Sequence, residues 1–423
     1  MFHPSLLALA GPKAIVLVTV LLVFALLVAL WAALRPPSQD SGPNKWRLLA
    51  LPIAGIVLIA WGLLSLWWKP FGEAVAWFVY ASTAVLFYVC CALALAKGSR
   101  KLLIPAVLAA ILGFVGSYNI EFQIYPTVRS LSPVPAAAKM NLEEFQAQTK
   151  TPIIHGRAVG AQVNLEIPGV ISGFKAREAM AYIPPSYWTQ PNKLLPVIIL
   201  MHGNPGEPGV WFNNGEVGEI ADIYQIANNG VAPIIISVDA TGSYAGNPIC
   251  IDGPELKIHT YLTQDVPTQV RQIFRVQPDT KYWTIGGLSY GGTCALQVIT
   301  NAPEVYGSFL DFSGQPEPSV GNHEDTVREF FNNDEKAFNA VDPAHLLNQA
   351  AELGSDRYHH IGGIFISGTN DNEAKVALQR LNELAQAAGM DTTYGEVPGG
   401  HDYKTWRQAF AQSLPWAAVR GGL

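Results

Sequence analysis

Charge is scarce in this chain of 423 residues: Asp, Glu, Lys and Arg together make up 14%, where about a quarter is usual in soluble domains. Cysteine is scarcer still, with four residues. No C-x-x-C, H-E-x-x-H or comparable metal-ligand spacing occurs. With one exception taken up below, no Gly-rich stretch opens a helix after a strand as a phosphate-binding loop does. We therefore expect neither a metal nor an organic cofactor. No internal repeat is evident outside the apolar runs. Cys90 and Cys91 fall inside such a run and read as small apolar residues. Cys250 and Cys294 remain as one pair. Cys294 is expected to face a core, so the two are expected to stay unbonded.

Apolar sequence is what the chain has in quantity. Residues 14–34, 48–68, 74–96 and, more weakly, 102–118 each come near the twenty or so apolar residues that a bilayer core demands. A signal peptide fits the first run poorly, because the run is too long and more spans follow it. Trp46, Trp67, Trp68, Trp77 and Tyr118 stand near the predicted span ends, as an aromatic belt would. Residues 1–120 thus read as a four-span transmembrane region, 121–157 as a linker broken by prolines, and 158–423 as a second domain.

Charge gives this arrangement a direction. Arg35, Lys45 and Arg47 lie between the first two spans, and Lys97, Arg100 and Lys101 between the last two. The loop between the second and third has Lys69 beside Glu73, and the N-terminus has Lys13. Basic loops stay in the cytoplasm, so the second domain is expected outside. Before residue 130 there are nine basic and three acidic residues, leaving 18 basic and 30 acidic. An acidic outer domain argues against nucleic acid as a partner.

The exception among the Gly-rich stretches is Gly287-Leu288-Ser289-Tyr290-Gly291. A strand-like run, 281–286, precedes it and a helix-like run, 293–301, follows. This is a G-x-S-x-G elbow in the strand–turn–helix setting that lifts a serine hydroxyl above a sheet. A serine needs a base to take its proton and a third group to orient that base. His401, on the Gly-rich loop after the strand-like 392–397, is the candidate base. His323, His345, His359 and His360 sit in a polar, irregular segment and read as surface residues. Asp371 follows the apolar strand 361–367 and opens a helix, which makes it the candidate acid. Glu373 is its competitor, and Asp402, adjacent to His401, is a weaker one.

An oxyanion needs two aimed N–H groups. One is that of Tyr290, next after the nucleophile. The other comes from the turn after the apolar strand 195–201, which reads His202-Gly203-Asn204-Pro205-Gly206. Proline has no amide hydrogen, so Asn204 is the donor.

On these residues the segment resembles the putative-esterase family of α/β-hydrolases, which includes esterase D and the mycolyltransferases. The matching pieces are 286–292, the turn His202-Gly203-Asn204, the helix 260–266 and Gly400-His401-Asp402-Tyr403-Lys404-Thr405-Trp406. The resemblance covers about the C-terminal two thirds. It implies an acyl-ester hydrolase or acyltransferase with Ser289, Asp371 and His401 as its triad. The mycolyltransferases' sugar-binding residues find no match here.

The expected fold is α/β: a mostly parallel sheet of about eight strands flanked by helices, its first strands antiparallel, behind the four-helix region. Nearly continuous apolar runs are what strands covered on both faces look like. Residues 208–218 and 315–358 are expected to shape the substrate site, with Phe330, Phe331 and Phe338 as walls of an acyl pocket or as anchors of a surface helix. The expected partners are an ester, of a lipid or of the cell envelope, and the bilayer itself.

Overall fold

The computed structural model describes residues 8–34, 45–67, 75–96, 100–131 and 137–423. The chain forms two compact units, Met1–Pro133 and Val134–Leu423.

The first unit has four apolar helices: α1 (Pro12–Leu34), α2 (Ala50–Gly62, continued by a wider turn over Leu63–Trp67), α3 (Trp77–Leu95) and α4 (Arg100–Phe122). Each helix, α2 with its continuation, is long and apolar enough to cross a membrane. Small residues make the contacts: Ala25, Ala29 and Ala32 of α1 and Ala106 and Ala110 of α4 are fully buried. At Gly113 an added Cβ would stand 2.6 Å from Leu22, so glycine lets α4 approach α1 closely. Polar groups tie the helix ends. Asn119 accepts from the Tyr125 N–H and donates to the Leu9 carbonyl, while Glu121 accepts from the Ala76 N–H. Arg35, Lys69, Glu73 and Lys97 lie outside the described residues, as do the side chains of Lys45 and Arg47.

The second unit is built on one sheet of nine strands: β1 (Ala137–Asn141), β2 (Gly160–Leu165), β3 (Ala179–Ile183), β4 (Val197–Met201), β5 (Ile234–Val238), β6 (Thr284–Leu288), β7 (Ser308–Phe312), β8 (Gly362–Gly368) and β9 (Asp391–Val397). Their spatial order is β1-β2-β3-β5-β4-β6-β7-β8-β9. β3 runs antiparallel to both its neighbours, and every other pair is parallel. The middle strands β4 to β7 are buried at every position, which explains their mostly apolar sequence. All their C-terminal ends face one edge, where crossover connections leave the loops that carry chemistry in such sheets.

Three expectations need correcting. The expected linker, 121–157, is not all linker: β1 pairs with β2 from Ala137 to Asn141. Asn141 then caps a short helix, Leu142–Ala147, in a reciprocal capping box with Glu144. The segment 315–358 is not irregular either, since it holds helices His323–Phe331, Glu335–Asn339 and Pro343–Leu353. There His323 sets one ring nitrogen 3.1 Å from Glu317 and the other 3.2 Å from Glu335, joining three pieces of the insertion. Finally, Cys250 and Cys294 are joined as a disulfide. Cys294 does face the core, as expected, but the loop carrying Cys250 reaches it with the Cα atoms 5.5 Å apart, an ordinary bridging distance.

Candidate active site

Ser289 directly follows β6 and precedes the helix Tyr290–Asn301. Its backbone takes φ 53° and ψ −120°, a conformation that a non-glycine residue holds only when its surroundings force it. The flanking glycines permit this turn. A Cβ on Gly287 would run into the Gly291 backbone, and one on Gly291 into the Met201 carbonyl of β4. The Ser289 N–H donates to the Phe312 carbonyl at 2.8 Å, which fastens the elbow to β7.

The structure brings the three distant residues into line. His401 Nε2 stands 2.9 Å from Ser289 Oγ, and His401 Nδ1 stands 2.9 Å from Asp371 Oδ2. A carboxylate only accepts, so Nδ1 carries the hydrogen toward Asp371 and Nε2 is turned to the hydroxyl. Asp371 is fully buried after β8 and caps the helix Asn372–Ala387 through the Ala374 N–H. Glu373 is exposed on that helix. Asp402 is engaged elsewhere, its two oxygens accepting from the Thr405 and Gly400 N–H groups to cap the helix Tyr403–Arg420. Trp406 meets the His401 ring edge-on at 5.2 Å. The imidazole is therefore held from both sides.

Asn204 lies in the turn after β4, before a cis Asn204–Pro205 bond. The backbone at Gly203 lies so close to the nucleophile that an added Cβ would be 3.3 Å from Ser289 Cβ. Among the described residues the Asn204 N–H meets no acceptor. Tyr290 is the first residue of its helix, where the N–H has no intrahelical partner. Its hydroxyl is turned the other way, donating to the Ala240 carbonyl at 2.9 Å.

Two buried polar groups around the elbow were not singled out in the sequence. Arg177, Asp239 and His202 form a cluster beside the turn after β4. Burial pushes the Asp239 carboxyl up, but hydrogen bonds from Arg177 and Thr241 outweigh it and hold the group well below the usual carboxylate range. Asp311 sits at the end of β7, opposite Gly287 of β6. Burial pushes it up to about 8, against one hydrogen bond from the Gly314 N–H. Apart from His202, which lies in the turn after β4, none of these residues falls in a motif, because each takes its meaning from strands far apart in sequence.

Two of the insertion aromatics, Phe330 and Phe331, border a cavity of about 370 Å³ that no triad residue lines, with Cys250, His259 and Gln297 among its other lining residues. Phe338 is buried between Phe331 and His323. Trp211 and Phe212, of the other expected segment, are buried, with Trp211 donating to the Met201 carbonyl. Among the described residues no cluster of three or more His, Cys, Asp or Glu could hold a metal ion.

Comparison with known proteins fits this geometry. A family model described as putative esterase matches residues 175–417. An uncharacterized protein of Corynebacterium glutamicum is 43% identical over 423 residues, covering 98% of each chain. An iron(III) salmochelin esterase of Escherichia coli is 25% identical over 260 residues, 58% of this chain and 55% of that protein. Among solved structures, a ferulic acid esterase aligns with a TM-score of 0.52 at 19% identity, covering 64% of this chain and all of its own. An S-formylglutathione hydrolase from Agrobacterium tumefaciens aligns with a TM-score of 0.52 at 18% identity, covering 64% and 99%. At such identities the last two show a shared α/β-hydrolase fold.

Proposed function

The chain belongs to the putative-esterase family of α/β-hydrolases, and from that premise we propose that it is a membrane-anchored esterase cleaving an acyl ester of a lipid or of the cell envelope. As a family member it is a serine hydrolase acting on ester bonds. The observation that carries the finer reading is the line from Ser289 through His401 to Asp371, with both contacts at 2.9 Å. Ser289 Oγ attacks the ester carbonyl while His401 Nε2 takes its proton. Asp371 keeps the imidazole in the required tautomer and stabilises its charged form. The Asn204 and Tyr290 N–H groups receive the oxyanion, each worth about 3–4 kcal/mol in such sites. Collapse returns the proton to the leaving alcohol and leaves the acyl group on Ser289. Water then enters with His401 again as base and releases the acid. A sugar or lipid hydroxyl in place of that water would make the same steps an acyl transfer; hydrolysis is the simpler reading, because it needs no acceptor site.

The four apolar helices support anchoring at a bilayer, and with it an ester found there. Placement of the domain outside the cytoplasm is supported by the basic residues beside the first and third inter-span turns. The Cys250–Cys294 disulfide supports it independently, since disulfides persist in oxidising compartments.

A membrane-impermeant fluorophosphonate applied to intact cells tests both. Wild type should label and Ser289→Ala should not. Equal labelling of the variant removes Ser289 as nucleophile, and labelling only after permeabilisation places the domain inside. Lipid profiles of cells lacking the protein test the substrate, with an unchanged profile removing the lipid reading.

A further inference from the structure

The turn that supplies Asn204 is held at both ends by one guanidinium. Arg177 stands two residues ahead of β3, a strand separated from β4 by β5. Its Nη1 donates to the Gly206 carbonyl at 2.8 Å. Its Nη2 lies 3.0 Å from Nε2 of His202 and 2.8 Å from Thr241 Oγ1, and donates to Asp239 Oδ1 at 2.6 Å. Its Nε and its own N–H both donate to Asp239 Oδ2 at 3.0 Å. Asp239 follows β5 directly and is fully buried, so the clamp fixes the turn to the sheet edge.

His202 carries the grip inward. It too is fully buried, and its Nδ1 lies 2.7 Å from the Gly203 carbonyl oxygen. A carbonyl only accepts, so Nδ1 is the donor and Nε2 is left facing Arg177. The Gly203–Asn204 peptide is trans, and a planar trans peptide sends its N–H opposite its C=O. Holding the Gly203 carbonyl toward His202 therefore turns the Asn204 N–H away from that ring. Gly206 packs on the same contact: a Cβ there would stand 2.6 Å from the Gly203 oxygen and 3.0 Å from His202 Nδ1. The Gly206 N–H in turn donates to the Tyr244 carbonyl.

We infer that His202, held by Arg177 and Asp239, is a positioning residue that fixes the Gly203–Asn204 peptide so that the Asn204 N–H faces the oxyanion. The inference rests on the proposed reading of Asn204 as an oxyanion donor. His202 is fully buried, so its action runs through the peptide it holds. What it and Arg177 supply is preorganisation, since a donor that must first rotate does not stabilise developing charge.

Two amide substitutions separate this role from mere packing. The amide nitrogen of His202→Asn reaches the position of Nδ1, whereas that of His202→Gln reaches the position of Nε2. In the full-length protein in detergent, with p-nitrophenyl butyrate as substrate, His202→Gln should lower kcat about 10²–10³-fold with KM little changed, the loss typical of one missing oxyanion donor. Binding of a trifluoromethyl ketone, which forms an oxyanion on the nucleophile, should weaken in proportion. His202→Asn should recover most of that loss. Equal activity of the two folded variants, or loss that follows melting temperature instead of inhibitor affinity, overturns the inference. Should both variants misfold, Arg177→Lys takes their place: it keeps charge beside Asp239 but not the fork, and unchanged kcat there is equally fatal. Ser289→Ala in the same assay keeps the two levels apart. If it retains turnover, the catalytic reading falls and takes this one with it; if it is inactive while His202→Gln is not, the positioning role alone is lost.

Discussion

The two units of this chain use their apolar residues in opposite senses. In the N-terminal unit many large side chains are exposed: Leu27 is 60% exposed, Leu51 85% and Trp67 83%, while most of the buried apolar positions are alanines, Trp46, Val89 and Leu103 being among the exceptions. In the hydrolase unit Ile198, Ile199 and Leu200 of β4 and Phe309 of β7 are 1% exposed or less. Water rewards burial of apolar surface. Lipid tails are as apolar as leucine, so helices among them associate through close backbone approach and small residues. Large apolar residues thus point outward in many places in one unit and inward in the other, the arrangement that a bilayer around the first and water around the second would each favour.

Both units bury polar groups, but around the elbow His202, Asp239, Asp311 and Asp371 are all fully buried. Ser289→Ala is the cleanest way to separate the units, because it should remove function from one and leave both folded. We expect kcat to fall about 10⁴–10⁶-fold, or roughly 5–8 kcal/mol of transition-state stabilisation. Melting temperature and membrane extraction should match wild type. A change in either would mean that the serine also holds the fold.

Asp311 is a buried group of the other kind, with a carboxyl that folding keeps protonated. Below about pH 4 it is protonated in both the folded and the unfolded chain, so its substitution should be nearly neutral there. Between that point and its folded value of about 8, the unfolded chain releases a proton that the folded chain keeps. Wild type therefore loses stability as pH rises through this window, and the loss levels off above it. Asp311→Asn should lack that slope. Its gain over wild type at pH 8 is bounded by about 5 kcal/mol, and thermal unfolding at pH 4 and pH 8 would read it. Parallel pH profiles for the two proteins would show that the buried carboxyl is ionised after all.

The disulfide ranks next. Cys250 and Cys294 are 44 residues apart, and the chain-entropy model gives a closed loop of that length about 4 kcal/mol. Cys250→Ser with Cys294→Ser should lower the melting temperature of the hydrolase unit and leave the helical unit unaffected. A loss in wild type of similar size on adding reductant would tie the effect to the bond itself, and equal stability with and without reductant would refute it.

What the sequence disclosed, and what it hid, follows from how local each feature is. The elbow and Asp371 follow apolar strands and His401 follows a strand-like run on a Gly-rich loop, so a short motif and a strand boundary are enough to place them. β1 escaped because Ala137-Ala138-Lys139-Met140-Asn141 lacks the β-branched and aromatic residues that mark strands. It is a strand because Gly160–Asn164 lies beside it, and strand preference is largely a matter of such neighbours. The disulfide and the Arg177–Asp239–His202 cluster are pairings between distant strands and loops, visible only once the sheet order is known. The helices α1 to α4 were legible to within a few residues. Which face of each is buried was not, because a uniformly apolar helix has no periodic stripe to read.

That last blindness yields the comparison's own test, at the smallest energies. Leu58, midway along α2, is 64% exposed, and Ile223, on the helix Val217–Ala227, is 70% exposed. By exposure alone the two should tolerate lysine equally. If α2 faces hydrocarbon, Leu58→Lys puts a charge near the centre of a span, where insertion scales set the cost at about 3 kcal/mol. Ile223→Lys faces water and should change stability by no more than about 0.5 kcal/mol. Insertion of α2, scored by glycosylation of a reporter in the flanking loop, should fall for the first variant. Thermal unfolding of the hydrolase unit should be unmoved by the second. Full insertion of Leu58→Lys would mean that this face of α2 meets water or another chain, and the contrast between the two units would then need a partner rather than a bilayer to explain it.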